Sequence, residues 1–248
     1  MEPTAYDKTD ELENRYWWYI GRRFVFDKIL SRFYQQDKTS KIADIGCGTG
    51  GNIPTLQKHG NVIGLDISQK ALDYCQNKGY INTHLMPEQI PQTGLADKSL
   101  DLITMFDVLE HFQDDVSALA EYYRILKPGG FIFLTVPAFK LLWSELDEHL
   151  HHFRRYKKGE LNMKLEKAGF EIVKSSYLFF FTFPLVFFYR VIGNFQEKKF
   201  HPQFKYVEFP KIINWSLVTL SKIEAFLLKF INLPVGSSVI CLARKPKN

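Results

Sequence analysis

The stretch Ile42 to Gly51 reads Ile-Ala-Asp-Ile-Gly-Cys-Gly-Thr-Gly-Gly, and it constrains the fold more tightly than any other part of the chain. Its first four residues predict the end of a buried strand, and the glycines leave the backbone bare where a helix should begin. A strand, glycine turn and helix in that order form a nucleotide cradle: glycine permits tight backbone angles and close ligand approach, and the helix start offers free N–H groups. Asn52 is placed to cap that helix, and Pro54 falls in its first turn, where a missing N–H costs nothing. From Lys41 onward short apolar strands alternate with polar-faced helices, the signature of a parallel sheet wound on both sides. The pattern predicts strands at Lys41–Gly46, Val62–Asp66, about Tyr80–Leu85, Leu100–Phe106 and Gly130–Val136, then Phe170–Tyr177 and Ser237–Arg244, with a helix over Leu161–Ala168 closed by Gly169.

The glycines alone do not choose the nucleotide. Gly46, Gly48 and Gly51 satisfy the dinucleotide pattern G-x-G-x-x-G, with Asp66 about twenty residues further on. Asp44 separates the readings, because a carboxylate aimed at the cradle repels a pyrophosphate and welcomes an ammonium or sulfonium. S-adenosyl-L-methionine is therefore expected rather than NAD.

Asp44-Ile45-Gly46-Cys47-Gly48-Thr49-Gly50 resembles the first motif of class I S-adenosylmethionine-dependent methyltransferases. Asp66, in Val62-Ile63-Gly64-Leu65-Asp66-Ile67-Ser68, resembles their acidic residue at the end of the second strand, which holds the ribose hydroxyls. Leu100-Asp101-Leu102-Ile103 through Val108-Leu109-Glu110-His111, then Arg124-Ile125-Leu126-Lys127-Pro128-Gly129-Gly130, is similar to the small-molecule branch, the type 11/12-like enzymes that modify quinones, sterols and sugars. The match runs from about Asp44 to Val136. It implies a Rossmann-like, mostly parallel seven-stranded sheet with an antiparallel last strand, and a cofactor site at Asp44, Gly46, Cys47, Gly48, Gly50, Asp66, Ile67, Met86, Glu88, Asp107 and Val108. After the third strand the family commonly has an acidic residue and a small one for the adenine. Here those places read Met86-Pro87, and Met accepts hydrogen bonds poorly, so Glu88 is the nearest substitute.

Ahead of the core, Glu11 to Tyr34 has helical spacing of aromatic and aliphatic residues. By resemblance Trp17, Trp18 and Arg22 are candidates for a lid over the cofactor; the other reading is that the aromatics dock the helix on the sheet. Past the fifth strand, Trp143 to Tyr156 gathers His149, His151 and His152 with acids and arginines. His149 and His152 at three-residue spacing form half a metal site, and no metal is expected. The similar His-Phe-Arg-Arg-Tyr segment of the family walls the acceptor pocket. Transfer to oxygen or nitrogen usually requires a base. His111, beside Glu110, is the first candidate, against a purely structural histidine; His149, His151 and His152 share the role otherwise, with Arg154, Arg155 and Tyr156 as acceptor-holding groups.

The sequence divides into a helical lid segment (1–40), a cofactor-binding core (41–177), an insertion (178–236) and the last strand with its tail (237–248). The insertion is aromatic: Tyr177 to Tyr189 holds no charge and is interrupted by Pro184, and Ile212 to Leu233 repeats apolar residues at near-helical spacing. At about 1.5 Å per helical residue the first run falls short of a roughly 30 Å hydrocarbon core. Residues 1–150 carry 15 Lys+Arg against 21 Asp+Glu, a net −6, whereas 151–248 carry 17 against 6, a net +11. Arg190, Lys198, Lys199, Lys205 and Lys211 fringe the apolar runs, as expected of helices resting on anionic lipid; a homodimer interface or a cover over the acceptor pocket are the other readings. Three scattered cysteines and a non-basic N-terminus suit a reducing cytoplasm and its membrane face. Arginine-rich groove motifs and the Asn/Asp-Pro-Pro-aromatic signature of base methylases are missing, so nucleic acid is not expected. An NAD-dependent oxidoreductase and a non-catalytic cofactor-binding or membrane-adaptor protein stay open as alternatives.

Overall fold

The computed structural model describes residues 3–34, 37–87, 93–195 and 209–247. Seven strands, β1 (Lys41–Ile45), β2 (Asn61–Asp66), β3 (Thr83–Leu85), β4 (Leu100–Phe106), β5 (Leu126–Pro137), β6 (Glu171–Leu178) and β7 (Ser238–Arg244), form one sheet in the order β3-β2-β1-β4-β5-β7-β6. The first five pair in parallel, and β7 runs antiparallel to both β5 and β6. This is the doubly wound sheet with a reversed last strand that the motifs imply. Its strand order reverses at β1/β4, which sets a ligand crevice at the carboxyl ends of those strands. β3 is shorter than the periodicity predicts, because Asn82 spends its amide on the Val62 carbonyl (2.9 Å) and Thr83 turns its hydroxyl to the Tyr80 carbonyl (3.1 Å).

Helices cover both faces. On one side α5 (Asp115–Ile125) and α7 (Lys158–Lys167) bury Leu119, Tyr122, Leu161 and Leu165 against β4, β5 and β7. Gly169, at φ +97°, ends α7 in the left-handed region that favours glycine. The other side is built by α2 (Trp17–Phe33), the four-residue α3 (Ile53–Leu56), α4 (Gln69–Asn77) and a helix from the insertion. α3 is too short to present a developed helix terminus, and Asn52 does not cap it: its own backbone is helical, and its carbonyl rather than its side chain receives the Thr55 and Leu56 amides.

The N-terminal segment is two helices, α1 (Pro3–Leu12) and α2, where the spacing suggests one. The insertion differs from expectation more. Tyr177 and Leu178 finish β6, Phe179 turns the chain at φ +65°, and Pro184 sits in the first turn of α8 (Phe183–Phe195), so it starts that helix instead of interrupting it. Between α5 and α8, a short α6 (Glu145–His149) lies in the loop after β5.

The second apolar run becomes α9 (Lys211–Leu227), which packs beside α2 and gives Val218 and Ala225 to the sheet-covering core. A Cβ on Gly21 would lie 2.5 Å from Ser221 Oγ, so that crossing requires glycine. Asn214 of α9 caps α2 from outside, accepting from the Trp17 amide at 2.9 Å and donating to the Arg15 carbonyl at 2.9 Å. Thus α9 belongs to the core structurally, although the sequence groups it with the insertion. Among the described residues no helix is long and apolar enough to cross a membrane.

Candidate cofactor and acceptor site

The glycine turn takes backbone angles that other residues avoid: φ is +68° at Gly46, +55° at Gly48 and +86° at Gly50. A Cβ on Gly46 would strike Val108 Cγ2 at 2.5 Å, whereas one on Gly48 would meet nothing within 4 Å, which leaves open space above that glycine. The turn is tied to β2 by the Gly46 and Cys47 amides, both donating to the Leu65 carbonyl (2.7 and 3.0 Å). Asp66, buried at the end of β2, accepts from the Gly48 amide at 2.8 Å and the Ser68 amide at 2.9 Å. Burial raises its carboxyl, and Tyr6 of α1 lies against it, its own phenol pushed up to about 12 by burial and then by Asp66.

Asp44 is 1% exposed at the end of β1. One carboxylate oxygen accepts from Thr104 Oγ1 at 2.6 Å, and the other, Oδ2, has no partner. Burial pushes this carboxyl up to about 7, outweighing the hydrogen bond from Thr104 and the nearby Arg22 charge, which pull it down. An unsatisfied buried carboxylate oxygen on the strand that leads into the glycine turn suits a cationic ligand group such as the ammonium or sulfonium of S-adenosylmethionine better than a pyrophosphate.

Asp107 follows β4 at φ +58° and accepts from Thr135 Oγ1 at 3.3 Å and from the Arg22 guanidinium at 2.8 Å. Arg22 lies 4.3 Å over the Trp18 ring, and its Nε has no partner. Trp17 docks edge-on to Phe179 at 5.6 Å. Trp18 also stacks on Phe179, at 6.1 Å, so both tryptophans dock against the turn after β6 and Trp18 in addition carries Arg22. Val108 packs against Gly46, Met86 is buried with its amide on the Asp66 carbonyl (2.8 Å), Ile67 is exposed, and the Cys47 thiol is buried; Glu88 lies outside the described residues. Sequence reasoning missed Glu13. Buried beneath the turn, it accepts from Thr49 Oγ1 at 2.6 Å and from Lys78 Nζ at 2.5 Å, fastening α1 and α2 to the cradle. No local pattern marks it among the acids around it.

The ionisable residues after β4 and β5 converge more closely than their spacing suggests. Leu109–His111 form a 3-10 turn that buries Glu110, and His152 approaches it from the loop after α6, with Nε2 at 3.9 Å from Glu110 Oε1. The His111 and His152 rings meet edge-on at 4.7 Å between centroids. Burial, then the neighbouring His152, pushes His111 down to about 3, so the imidazole stays neutral and is a weak base, short of the basicity a general base needs near neutral pH. Glu110 has the opposite problem: burial and nearby Asp107 hold its carboxyl well above the usual range.

Asp147 anchors this corner. It accepts from His152 Nδ1 at 3.0 Å, from Arg155 at 2.7 and 3.0 Å and from Arg190 of α8 at 3.2 Å, and these donors hold it well below the usual carboxylate range against its burial. Tyr156 corrects the sequence reading. It is fully buried and donates to Asp115 at 2.8 Å, a strut in the core instead of a group offered to an acceptor. Arg154 and Arg155 are likewise engaged, on Asp115 and Asp147. His149 ends α6 apart from the Glu110–His111–His152 cluster. Beside this corner Phe139, Leu141 and Leu142 of the loop after β5 and Phe183 and Phe187 of α8 line an apolar cavity of about 200 Å³.

A methyltransferase-domain family model matches residues 43–134. The chain is 26% identical over 178 residues to a probable S-adenosylmethionine-dependent methyltransferase of Mycolicibacterium smegmatis, covering 68% of this chain and 67% of that protein. A ubiquinone biosynthesis O-methyltransferase of Hydrogenovibrio crunogenus is 27% identical over 147 residues (54% and 60%), and a demethylmenaquinone methyltransferase of Staphylococcus haemolyticus 34% over 117 (42% and 49%). Several of these matches therefore span only about half of the relative. Among solved structures, a Haemonchus contortus phosphoethanolamine N-methyltransferase in complex with S-adenosyl-L-methionine superposes with a TM-score of 0.58 at 19% identity, over 88% of this chain and 51% of that one. Fold, cradle and matched motifs define a Rossmann-like nucleotide-binding protein of the sulfonium-accepting kind. Residues 43–134 carry a methyltransferase domain, and with the cradle and the seven-stranded sheet this part of the chain is of the class I S-adenosylmethionine-dependent methyltransferase kind, whose cofactor is S-adenosyl-L-methionine.

Proposed function

We propose that this protein transfers a methyl group from S-adenosylmethionine to a small molecule that carries a substantial apolar portion, and that it does so at a membrane surface. The observation that carries the cofactor half is the buried, half-satisfied Asp44 on the strand that leads into the glycine turn, with Asp66 at the neighbouring strand end bonded to the Gly48 amide. Methyl transfer is an in-line displacement: the acceptor attacks the methyl carbon as the sulfur–carbon bond breaks, and the sulfur leaves as a neutral thioether with that electron pair. The protein's part is to align the partners and exclude water. Asp44 faces the positive charge that the reaction consumes, Asp66 suits the ribose hydroxyls, and Arg22 with Trp18 closes the mouth of the site.

The acceptor side supports an apolar partner. The cavity of Phe139, Leu141, Leu142, Phe183 and Phe187 opens next to the β5 end, and two of the similar enzymes are named for ubiquinone biosynthesis and demethylmenaquinone methylation. Leu185 and Phe188 of α8 and Ile212, Trp215 and Phe226 of α9 are exposed, with Lys211 at the start of α9 and Lys229 just past its end. Exposed apolar residues on these helices, with lysines at both ends of α9, suit the interface of an anionic bilayer. Lys198, Lys199 and Lys205, counted with that fringe from the sequence, lie outside the described residues.

The test is incubation of the protein and methyl-labelled cofactor with fractionated lipid and small-metabolite extracts. Label should enter a component of the lipid-soluble fraction with a mass gain of one methyl. Label that enters only water-soluble polar compounds would contradict the apolar acceptor, and cofactor binding without labelled product in any fraction would favour a non-catalytic protein.

A further inference from the structure

We infer that Glu110, His111 and His152 form a binding site for a divalent transition-metal cation, zinc or a close relative, at the acceptor side of the cofactor crevice. Their ligand atoms all lie within 4.8 Å of one another. Two imidazoles and one carboxylate are a set that takes zinc with an open fourth position, at bond lengths of about 2 Å that bring ligand atoms roughly 3–3.5 Å apart. Closing from the observed separation needs small side-chain movements only.

Three features of the corner suit an ion better than they suit the residues alone. Glu110 is 0% exposed, and neither of its side-chain oxygens has a hydrogen-bond partner, an arrangement costly for any buried polar group. His152 gives its Nδ1 to Asp147 at 3.0 Å, so its other nitrogen, Nε2, turns a lone pair toward Glu110 Oε1 at 3.9 Å. Two acceptors then face each other across a gap that a cation bridges. Asp147 stands where the outer carboxylate of a carboxylate–histidine–metal triad stands, fixing tautomer and ring orientation, and Arg155 and Arg190 hold it in place. The Leu150 backbone lies against the His111 ring in the same supporting manner.

The site was invisible to spacing. His149 and His152 offer half a site in sequence, and the completing ligands, Glu110 and His111, come from forty residues earlier. The 3-10 turn that carries them directly follows Asp107 and Val108 on the cofactor side, so an open coordination position could hold an acceptor oxygen near the methyl group. That use rests on the methyltransferase reading. Ion binding itself does not.

Chelator-stripped, untagged protein titrated with Zn²⁺ in a calorimeter tests the site, with a parallel S-adenosylmethionine titration of each preparation. About one ion per chain should bind, Glu110→Gln and His152→Ala should each weaken it at least tenfold, and His151→Ala, outside the cluster, should leave it unchanged. Cofactor affinity should stay within about twofold in all of them. Stoichiometric binding that Glu110→Gln leaves intact, or no stoichiometric binding by wild type, overturns the site. Should the variants fail to fold, Co²⁺ added to wild type decides: an intense visible spectrum of a four- or five-coordinate ion supports the site, and the weak spectrum of the hydrated ion contradicts it. A failure of cofactor binding with ion binding intact would instead count against the methyltransferase reading alone.

Discussion

Arg22 reaches from the second helix across the mouth of the cofactor crevice to Asp107, 2.8 Å away, while the Trp18 ring lies 4.3 Å beneath its guanidinium. The pair joins a segment outside the sheet to the end of β4, and the buried Arg22 Nε has no partner. Charged hydrogen bonds of this kind contribute about 1.5–3 kcal/mol. Arg22→Ala should therefore weaken S-adenosylmethionine roughly tenfold or more in calorimetry, and should also lower the melting temperature, because it strands Asp107 and removes the contact with Trp18. Unaltered affinity would show that Arg22 only braces the helix.

Asp147 gathers His152, Arg155 and Arg190 around one buried carboxylate, so removing it strands two guanidinium groups. Asp147→Ala should lose about 3–5 kcal/mol of stability in denaturant unfolding, well above Arg190→Ala, which leaves Asp147 its other partners. Equal losses in the two variants would mean that Arg190 carries the corner.

Glu224 of α9 is buried under the turn after β6, where it accepts from the Phe179 amide at 2.5 Å, and burial raises its carboxyl from 4.5 to about 7. A carboxyl raised in the folded state stabilises it most fully below the unfolded value, and that contribution is lost as pH rises through the folded one. Wild type should lose roughly 1–3 kcal/mol relative to Glu224→Gln between about pH 4.5 and 7. Parallel stability curves for the two proteins over that window would refute the assignment.

The membrane reading predicts a division between the phenylalanines of α8. Phe183 and Phe187 face the inner cavity, whereas Leu185 and Phe188 are exposed, as is Trp215 on α9. Leu185→Ser, Phe188→Ser and Trp215→Ser together should leave the protein behind when wild type floats with anionic vesicles at low salt, and added salt should reduce flotation of wild type. Wild type that ignores vesicles of every composition yet sediments as a dimer would make this face a subunit interface.

Local patterns carried the sheet far. Leu100–Phe106 is the fourth strand at the very residues the alternation marks, and the glycine turn falls where its positive φ angles demand glycine. What could not be read depends on partners distant in sequence. The near-helical spacing of Ile212 to Leu233 predicts a helix but not that its small face, at Ser221, meets Gly21. Tyr156 looked like a site residue because its neighbours are charged; only the fold shows Asp115 waiting for its hydroxyl. Glu110 and His152 are 42 positions apart, and no spacing rule spans that interval. Pro184 reads as a break within an apolar run, and becomes a helix start once β6 is seen to end before it.

The central claim is that Asp44, the glycine turn and Asp66 hold S-adenosylmethionine. Calorimetric titration of wild type and Asp66→Ala with S-adenosylmethionine, and of wild type with NAD, tests it most directly. The account predicts one cofactor per chain, at least tenfold weaker binding in Asp66→Ala as a charge-assisted pair worth about 1.5–3 kcal/mol is lost, and no binding of NAD. NAD binding in place of S-adenosylmethionine, or unchanged affinity in a correctly folded Asp66→Ala, would contradict it.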